Sequence, residues 1–340
     1  MSSHTAAWIT ASKSYPLEVK DAPTYTPGPN EILVRNRAVA INHIDGMIQK
    51  TDFHPIEYPA ILGQDLAGEV AAVGSGVTRF KEGDRVLGHA VRYATQQNRD
   101  GAFQQNTILR TNLASQIPDD LSFEDACVLP VGLSTAACAL FLKKNLGLQL
   151  PTLEGQPLTG EVVLIWGGSS SVGSNAIQLC ALAGYEVWTI ASPDNFRLLQ
   201  ALGATEMIDR NDEQAGGKMI LKLMGRKLAG ALDAIGYAST TTTIATIMQR
   251  CEGSKKIVTT LPAPADIPDD ITVTQVRGDD LRDDALAKTI YEDILPKALE
   301  GASYSPVPEP MVIGKGLEKV QEGIDLLRKG VSAKKVVVTL

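Results

Sequence analysis

The residues best suited to chemistry lie in one short run, Trp166 to Gly173, which reads W-G-G-S-S-S-V-G. It stands between an apolar run, Glu161 to Trp166, and a helically spaced stretch that begins near Asn175. A phosphate needs a tight turn, close approach of the backbone and the free N–H groups of a helix start, and a Gly/Ser turn between strand and helix offers all three. The run departs from the plain G-x-G-x-x-G pattern, because Ser170 and Ser171 stand where glycine is common. In this context Gly167, Gly168, Ser169, Ser170, Ser171 and Val172 are expected to hold the pyrophosphate of a dinucleotide. The alternative is a loop that only turns the chain.

The end of the following strand selects between the two nicotinamide cofactors. A site for NAD places a carboxylate about 20 residues beyond the glycines, on the ribose 2′-hydroxyl. Here the strand ends in Ile190, Ala191, Ser192 and Pro193, with Asn195 and Arg197 close behind. Ser192 can donate to a 2′-phosphate, and Arg197 or Arg210 can neutralise it. The expectation is therefore NADPH. Asp194 is the counter-indication, and Arg197 can equally be a solvated residue of a first helical turn.

These residues need a frame, and composition bounds it. The chain has 340 residues, 44% hydrophobic and 21% charged, which suits one or two globular domains able to bury a core without disulfides or metal. A net charge of −7 with no basic stripe argues against a nucleic-acid partner and for a small molecule. Each strongly apolar run is cut by Gly or a charge, so no membrane span is expected. The first residues lack the regions of a signal peptide, and Cys127, Cys138, Cys180 and Cys251 are too scattered for a disulfide framework or a zinc site. Reduced, buried thiols in a cytoplasmic protein are expected.

The pattern along the chain changes near Phe123. Before it, short alternating runs such as Glu31 to Ala40 and turns at Val73–Val77 and Lys81–Val86 suggest a partly antiparallel β domain. After it, apolar strands alternate with helical segments, as in βαβ units with a parallel sheet. Strands are expected at Glu161–Trp166, Glu186–Ala191, Ala231–Ile235 and Lys256–Leu261, with helices from Asn175 and from Phe196 to Gly203. Gly314 to Arg328 reads as an amphipathic helix and Lys335 to Leu340 as a final strand that returns to the first domain. The expected domains are 1–130 with 302–340, and 131–301. Lys143–Gly160 and the Pro-rich Leu261–Asp270 read as loops.

Several motifs in fixed order resemble the medium-chain dehydrogenase/reductase superfamily, in its zinc-free quinone oxidoreductase and enoyl reductase branch. They are Ala40–Asp45 (A-I-N-H-I-D), Leu62–Gly74, Phe80–Val86, Gly101–Gln105, Leu129–Ala136, the Gly/Ser turn and Leu202–Ala204. Within the branch the Ser192–Phe196 segment and the Leu327–Gly330 tail are most similar to the trans-acting enoyl reductases of fungal polyketide synthesis. The resemblance implies a Rossmann doubly wound parallel sheet domain carrying NADPH and a GroES-like, mostly antiparallel β domain carrying the edge of the substrate cleft. Zinc members of the superfamily place Cys and His ligands where this chain has Asn42 and Gln64, and neither amide is a normal zinc ligand. No metal is expected.

The resemblance also implies site residues. Asn42 would position the ribose or a substrate oxygen and Asp45 would orient its loop. Thr135, Leu261 and Lys335 would lie on the cofactor side. Tyr58 and Tyr93 can donate to a carbonyl, or be packed rings with wet hydroxyls. Reducing an activated C=C bond needs no Lewis acid: hydride reaches the β-carbon, and hydrogen-bond donors stabilise the enolate oxygen. The implied activity is reduction of an α,β-unsaturated carbonyl or enoyl thioester, small or carrier-bound, with a polyketide synthase as partner. The alternatives are an NADPH:quinone oxidoreductase and a non-catalytic NADPH-binding protein. Either a monomer or a homodimer is compatible with the family, the prolines at 262, 264 and 268 pointing to the former.

Overall fold

The run Glu31–Ala40 alternates half-buried and buried residues before becoming wholly buried at its end, which suits a strand that enters a core. In the computed structural model, which describes residues 4–51 and 53–340, this strand is the hub of a seven-stranded sheet. The sheet runs Glu309–Lys315, Lys334–Thr339, Glu31–Ala40, Asp65–Val73, Arg85–His89, Ala114–Gln116, with Asn106–Arg110 also paired to the hub strand. Only the first pairing is parallel; the others are antiparallel. A three-stranded sheet of Glu18–Ala22, His4–Ile9 and Ala60–Ile61 lies beside it, tied by the bond from Ala7 N to Phe103 O. Ile32, Val34, Leu66, Phe103, Ile324 and Val336 belong to the buried cluster that holds these layers together.

The second unit is a parallel sheet. Its strands Glu161–Trp166, Glu186–Ala191, Ala204–Asp209, Lys227–Asp233, Lys256–Thr259 and Thr272–Gln275 lie in the spatial order 3-2-1-4-5-6, counted along the chain. That is the Rossmann doubly wound order, in which ligands bind at the carboxyl ends of the strands where the order reverses. Val162, Leu164, Ile190, Ala231 and Ile257 fill the core under the helices Ala215–Leu223 and Ala238–Gln249. The two expected domain types are those observed.

The chain divides into one unit of residues up to Val131 together with Arg282–Leu340, and a second of Gly132–Leu281. The return to the first unit thus comes at Arg282, ahead of residue 302. Buried Tyr291 donates its hydroxyl to Pro130 O (2.9 Å), Asn112 Nδ2 donates to Arg282 O (2.9 Å), and Arg110 pairs with Asp283 (2.8 Å). These long-range bonds fix the boundary, and no local pattern announces them.

Two other expectations are corrected. Gly314 to Arg328 is not one helix: Glu309–Lys315 is a strand, and the helix is Lys319–Lys329. Gly314 and Gly316 adopt φ of +149° and +96°, which exclude a continuous helix through them. The segment Phe123–Phe141, with mean hydropathy 1.4, is long and apolar enough to cross a membrane, contrary to the sequence reading. It is 78% buried within the protein, and its apolar character serves the core. All four cysteines are free and buried.

The register of the hub strand with Asp65–Val73 shifts between Asn36 and Ala38. Gly68 lies opposite, and a Cβ there would stand 2.1 Å from Arg35 O. Backbone cannot yield as a side-chain tip can, so Gly68→Ala is expected to cost at least ~1–3 kcal/mol in urea unfolding. Gly217→Ala, in a helix with nothing within 4 Å of the new methyl, should be neutral or stabilising by up to ~1 kcal/mol.

Candidate functional site

In the first unit the sheet register gathers three polar residues. Ala40 pairs with Asp65 on one side and with Val337 on the other, and Ile41 N donates to Val336 O (2.9 Å). Asn42 therefore leaves the strand beside both Asp65 and Lys335. The Lys335 ammonium donates to Asn42 Oδ1 (2.7 Å) and lies 2.8 Å from Asp65 Oδ2. Asn42 Nδ2 donates to the same Asp65 oxygen (2.8 Å), and Val131 N donates to the other (2.7 Å). Asp65 is 0% exposed and Lys335 4%, while Asn42 is half-buried. A buried ion pair is tolerated when further hydrogen bonds satisfy its remaining atoms, and here the carboxylate has three donors.

Asp45 forms the layer beneath. Asn42 N donates to Asp45 Oδ2 (2.8 Å), one half of a capping box at the start of the helix His43–Thr51, while Asp45 N donates to the main-chain Asn42 O (3.1 Å) and leaves the Asn42 side chain free for Asp65 and Lys335. Tyr93 donates its hydroxyl to Asp45 Oδ1 (2.5 Å). Burial pushes the Asp45 carboxyl up to about 6, against these two bonds and the pull of Lys335; the nearby Asp65 charge adds to the rise. Burial likewise lifts the Tyr93 phenol well above its ordinary range. The Tyr93 hydroxyl is thus not wet, and it serves Asp45 rather than an external carbonyl. Tyr58 is half-buried against the same hydrophobic core.

The donor set does not suit zinc. Asn42 Oδ1 is occupied by an ammonium, both Asp65 oxygens are engaged, and Gln64 Nε2 lies 3.3 Å from His89 Nε2. Among the described residues no group of three or more His, Cys, Asp or Glu side chains could hold a metal.

The second unit carries the Gly/Ser turn between Glu161–Trp166 and the helix Ser171–Leu182. Gly167 has φ +81°, a Cβ on Gly168 would stand 2.4 Å from Thr189 Oγ1, and one on Gly173 would stand 2.2 Å from Gly167 O. Ser170 caps the helix by accepting from Gly173 N (3.0 Å), and its O accepts from Ser174 N (2.8 Å). The first N–H groups of a helix have no partner within it, and those of Ser171 and Val172 stay available to an anion beside Ser169. This serine in place of glycine is a gain, since the cap fixes the turn.

Of the remaining candidates, Ser192, Arg210 and Leu261 follow the carboxyl ends of strands, while Arg197 and Thr135 lie on helices. Arg210 N donates to Ala191 O (2.9 Å), which puts exposed Arg210 next to half-buried Ser192. Asn195 is 9% exposed and its Nδ2 is buried with no partner, a donor lacking an acceptor. Arg197 is exposed on the following helix. Thr135, 8% exposed, lies against Gly278, and Leu261 against Gly236. The close-packed glycines and the orphaned Asn195 amide fit a bound dinucleotide.

Two carboxylates outside the expected set matter. Asp65 appears in the sequence only as the last residue of a failed zinc motif, Gly63-Gln64-Asp65, and its central place follows from pairing alone. Asp233, 0% exposed at the end of its strand, accepts from Ile235 N, Gly236 N and the hydroxyls of Thr240 and Thr241 at 2.6–3.1 Å. It ties down the turn that meets Leu261. An Asp at a strand end followed by Gly and a Thr pair was the available signal.

The raised Asp45 value has a direction in stability. The folded protein holds a proton that the unfolded chain releases near 3.8, so stability from this group is full below about pH 4 and is lost as pH rises to about 6. Urea unfolding across that window should show the wild type losing about 3 kcal/mol relative to Asp45→Asn, whose amide does not titrate. Parallel pH profiles for the two proteins would place Asp45 outside the linkage.

Comparison with known proteins supports the same assignment. Residues 28–119 match the alcohol dehydrogenase GroES-like domain. The chain is 47% identical over 337 residues to the zinc-binding alcohol dehydrogenase domain-containing protein cipB of Emericella nidulans, covering 99% of this chain and 98% of that protein. It is 36% identical over 337 residues to the trans-enoyl reductase himH of Aspergillus japonicus, covering 98% and 97%. Its fold matches an alcohol dehydrogenase superfamily protein from Novosphingobium aromaticivorans with TM-score 0.80, at 23% identity over 99% of both chains. With a GroES-like unit, a Rossmann unit and relatives alike over their whole length, the chain belongs to the medium-chain dehydrogenase/reductase superfamily of nicotinamide-dependent oxidoreductases, among its enoyl-reductase-like members.

Proposed function

We propose that this protein is an NADPH-dependent reductase of an activated C=C bond, an α,β-unsaturated carbonyl or enoyl thioester, working without a metal. The observation that carries the reading is the Asn42–Asp65–Lys335 group, in which the amide oxygen of Asn42, a residue matched to a zinc ligand of metal-dependent relatives, is spent on a lysine ammonium. Alcohol oxidation asks for a Lewis acid at the alkoxide, whereas enone reduction asks only for hydrogen-bond donors at the carbonyl oxygen. Asn42 retains one N–H for that task.

Bound NADPH supplies the hydride. The chain's residues supply the rest: Gly167, Gly168 and the helix start at Ser171 receive the pyrophosphate, and Ser192, Asn195 and Arg210 offer donors to the 2′-phosphate. Asn42 steadies the negative charge that gathers on the carbonyl oxygen, and a proton from water reaches the α-carbon to complete the saturated product. Asp45 and Tyr93 fix the backbone from which Asn42 projects. The name of the Aspergillus japonicus relative favours an enoyl substrate. In this reading the substrate is free or carrier-bound, a polyketide synthase supplies the latter, and the protein works in the cytoplasm as a monomer or homodimer.

The deciding assay follows NADPH and NADH oxidation with a short 2-enoyl pantetheine thioester and with a simple quinone. Saturated thioester formed with NADPH is expected; turnover of the quinone alone would replace the proposal with quinone reduction. Ser192→Ala combined with Arg210→Ala should raise the KM for NADPH by about 10–100-fold, the loss of one or two charge-assisted bonds, and spare NADH. An unchanged NADPH/NADH preference would sink the cofactor assignment.

A further inference from the structure

We infer that Lys335 and Asp65 are positioning residues that lock the Asn42 carboxamide in one orientation, so that it presents an N–H donor to the substrate oxygen. The inference rests on the enone-reductase reading above and assigns two residues to it. An amide can flip by half a turn and exchange its oxygen for its NH2 at small cost when its neighbours both donate and accept. The neighbours of Asn42 do neither interchangeably. Lys335 has donors only and lies 2.7 Å from Oδ1; ionised Asp65 has acceptors only and lies 2.8 Å from Nδ2. A flipped amide would set NH2 against an ammonium and oxygen against a carboxylate, losing two charge-assisted bonds and gaining two repulsions.

The exposure pattern supports this division of labour. The two charges are sealed, at 0% and 4% exposure, while Asn42 between them is half-buried. One Asn42 N–H is held by Asp65, which leaves the other. All three residues stand on paired strands or at a capped helix start, so the donor's position is set before a substrate arrives. Lys335 is in this account a residue of the β unit's polar node rather than a ligand of the cofactor, the role that the family resemblance implies for it.

A mutant cycle separates the roles. It comprises Asn42→Ala, Lys335→Met and their combination, with Asp65→Asn/Lys335→Met as a charge-free pair that leaves no buried carboxylate unpaired. Asn42→Ala and Lys335→Met are each expected to lower kcat about 10–100-fold on the enone, with the dissociation constant of NADPH changed less than threefold. The combination should be no worse than the more damaged single variant. The charge-free pair should melt like the wild type yet stay slow, and Lys335→Arg should recover part of the rate. Multiplying losses in the combination, a charge-free pair with normal turnover, or a tenfold weaker hold on NADPH in both the wild-type and Asn42→Ala backgrounds would each overturn the inference. If the wild type reduces no enone, the functional reading falls by itself. The cofactor-free urea cycle then decides this one: sub-additive destabilisation by the two single changes upholds the lock, and additive destabilisation removes it.

Discussion

The ion pair between Lys335 and Asp65 is the constraint on which the β unit's polar site depends. Charges so deeply buried are stable only with their hydrogen-bonding capacity met, and the structure meets it with Asn42 and the N–H of Val131. The consequence runs outward from there. Asn42 holds its place because its side chain is gripped by the pair and its backbone N–H by Asp45. Asp45 in turn stays buried because Tyr93 reaches it, at the cost of an elevated carboxyl pKa. Substitution in this chain therefore travels, and the effect of removing one member depends on which charge is left behind.

The nucleotide-binding unit is built on a different principle. Its turn works by absence of side chains: Gly168 and Gly173 stand where any Cβ would meet an oxygen at under 2.5 Å, so the strand, turn and helix close on one another. Ser170 adds a helix cap that a glycine cannot provide, which accounts for a serine at a position where the simple fingerprint expects glycine. Around it, the orphaned Asn195 amide and the fully bonded Asp233 are opposite cases. One is a buried donor that a ligand can complete, and the other is a carboxylate whose four bonds make it purely architectural.

Membership of a superfamily that includes zinc enzymes makes the residue types at the metal positions informative. A relative at 47% identity carries zinc in its name. In this chain, however, those positions hold two amides, Asn42 with its oxygen on the Lys335 ammonium and Gln64 beside His89. One fold can host different chemistries, which is why the site, and not the fold, has to carry a functional argument.

What could be read from the sequence was local. The Gly/Ser turn, its flanking strand and helix, and the change from alternating to βαβ patterning all follow from neighbouring residues and their spacing. Tertiary structure decided the rest. Asn42 and Lys335 are 293 positions apart, and only the register of three strands brings them into contact. The same holds for the early return of the chain at Arg282, which depends on Tyr291 meeting Pro130, and for the strand Glu309–Lys315, which finds its partner in the final strand. A periodic pattern reports which face of an element is apolar, but it carries no record of which distant backbone will supply the hydrogen bonds. That choice is made by the energy of the assembled sheet.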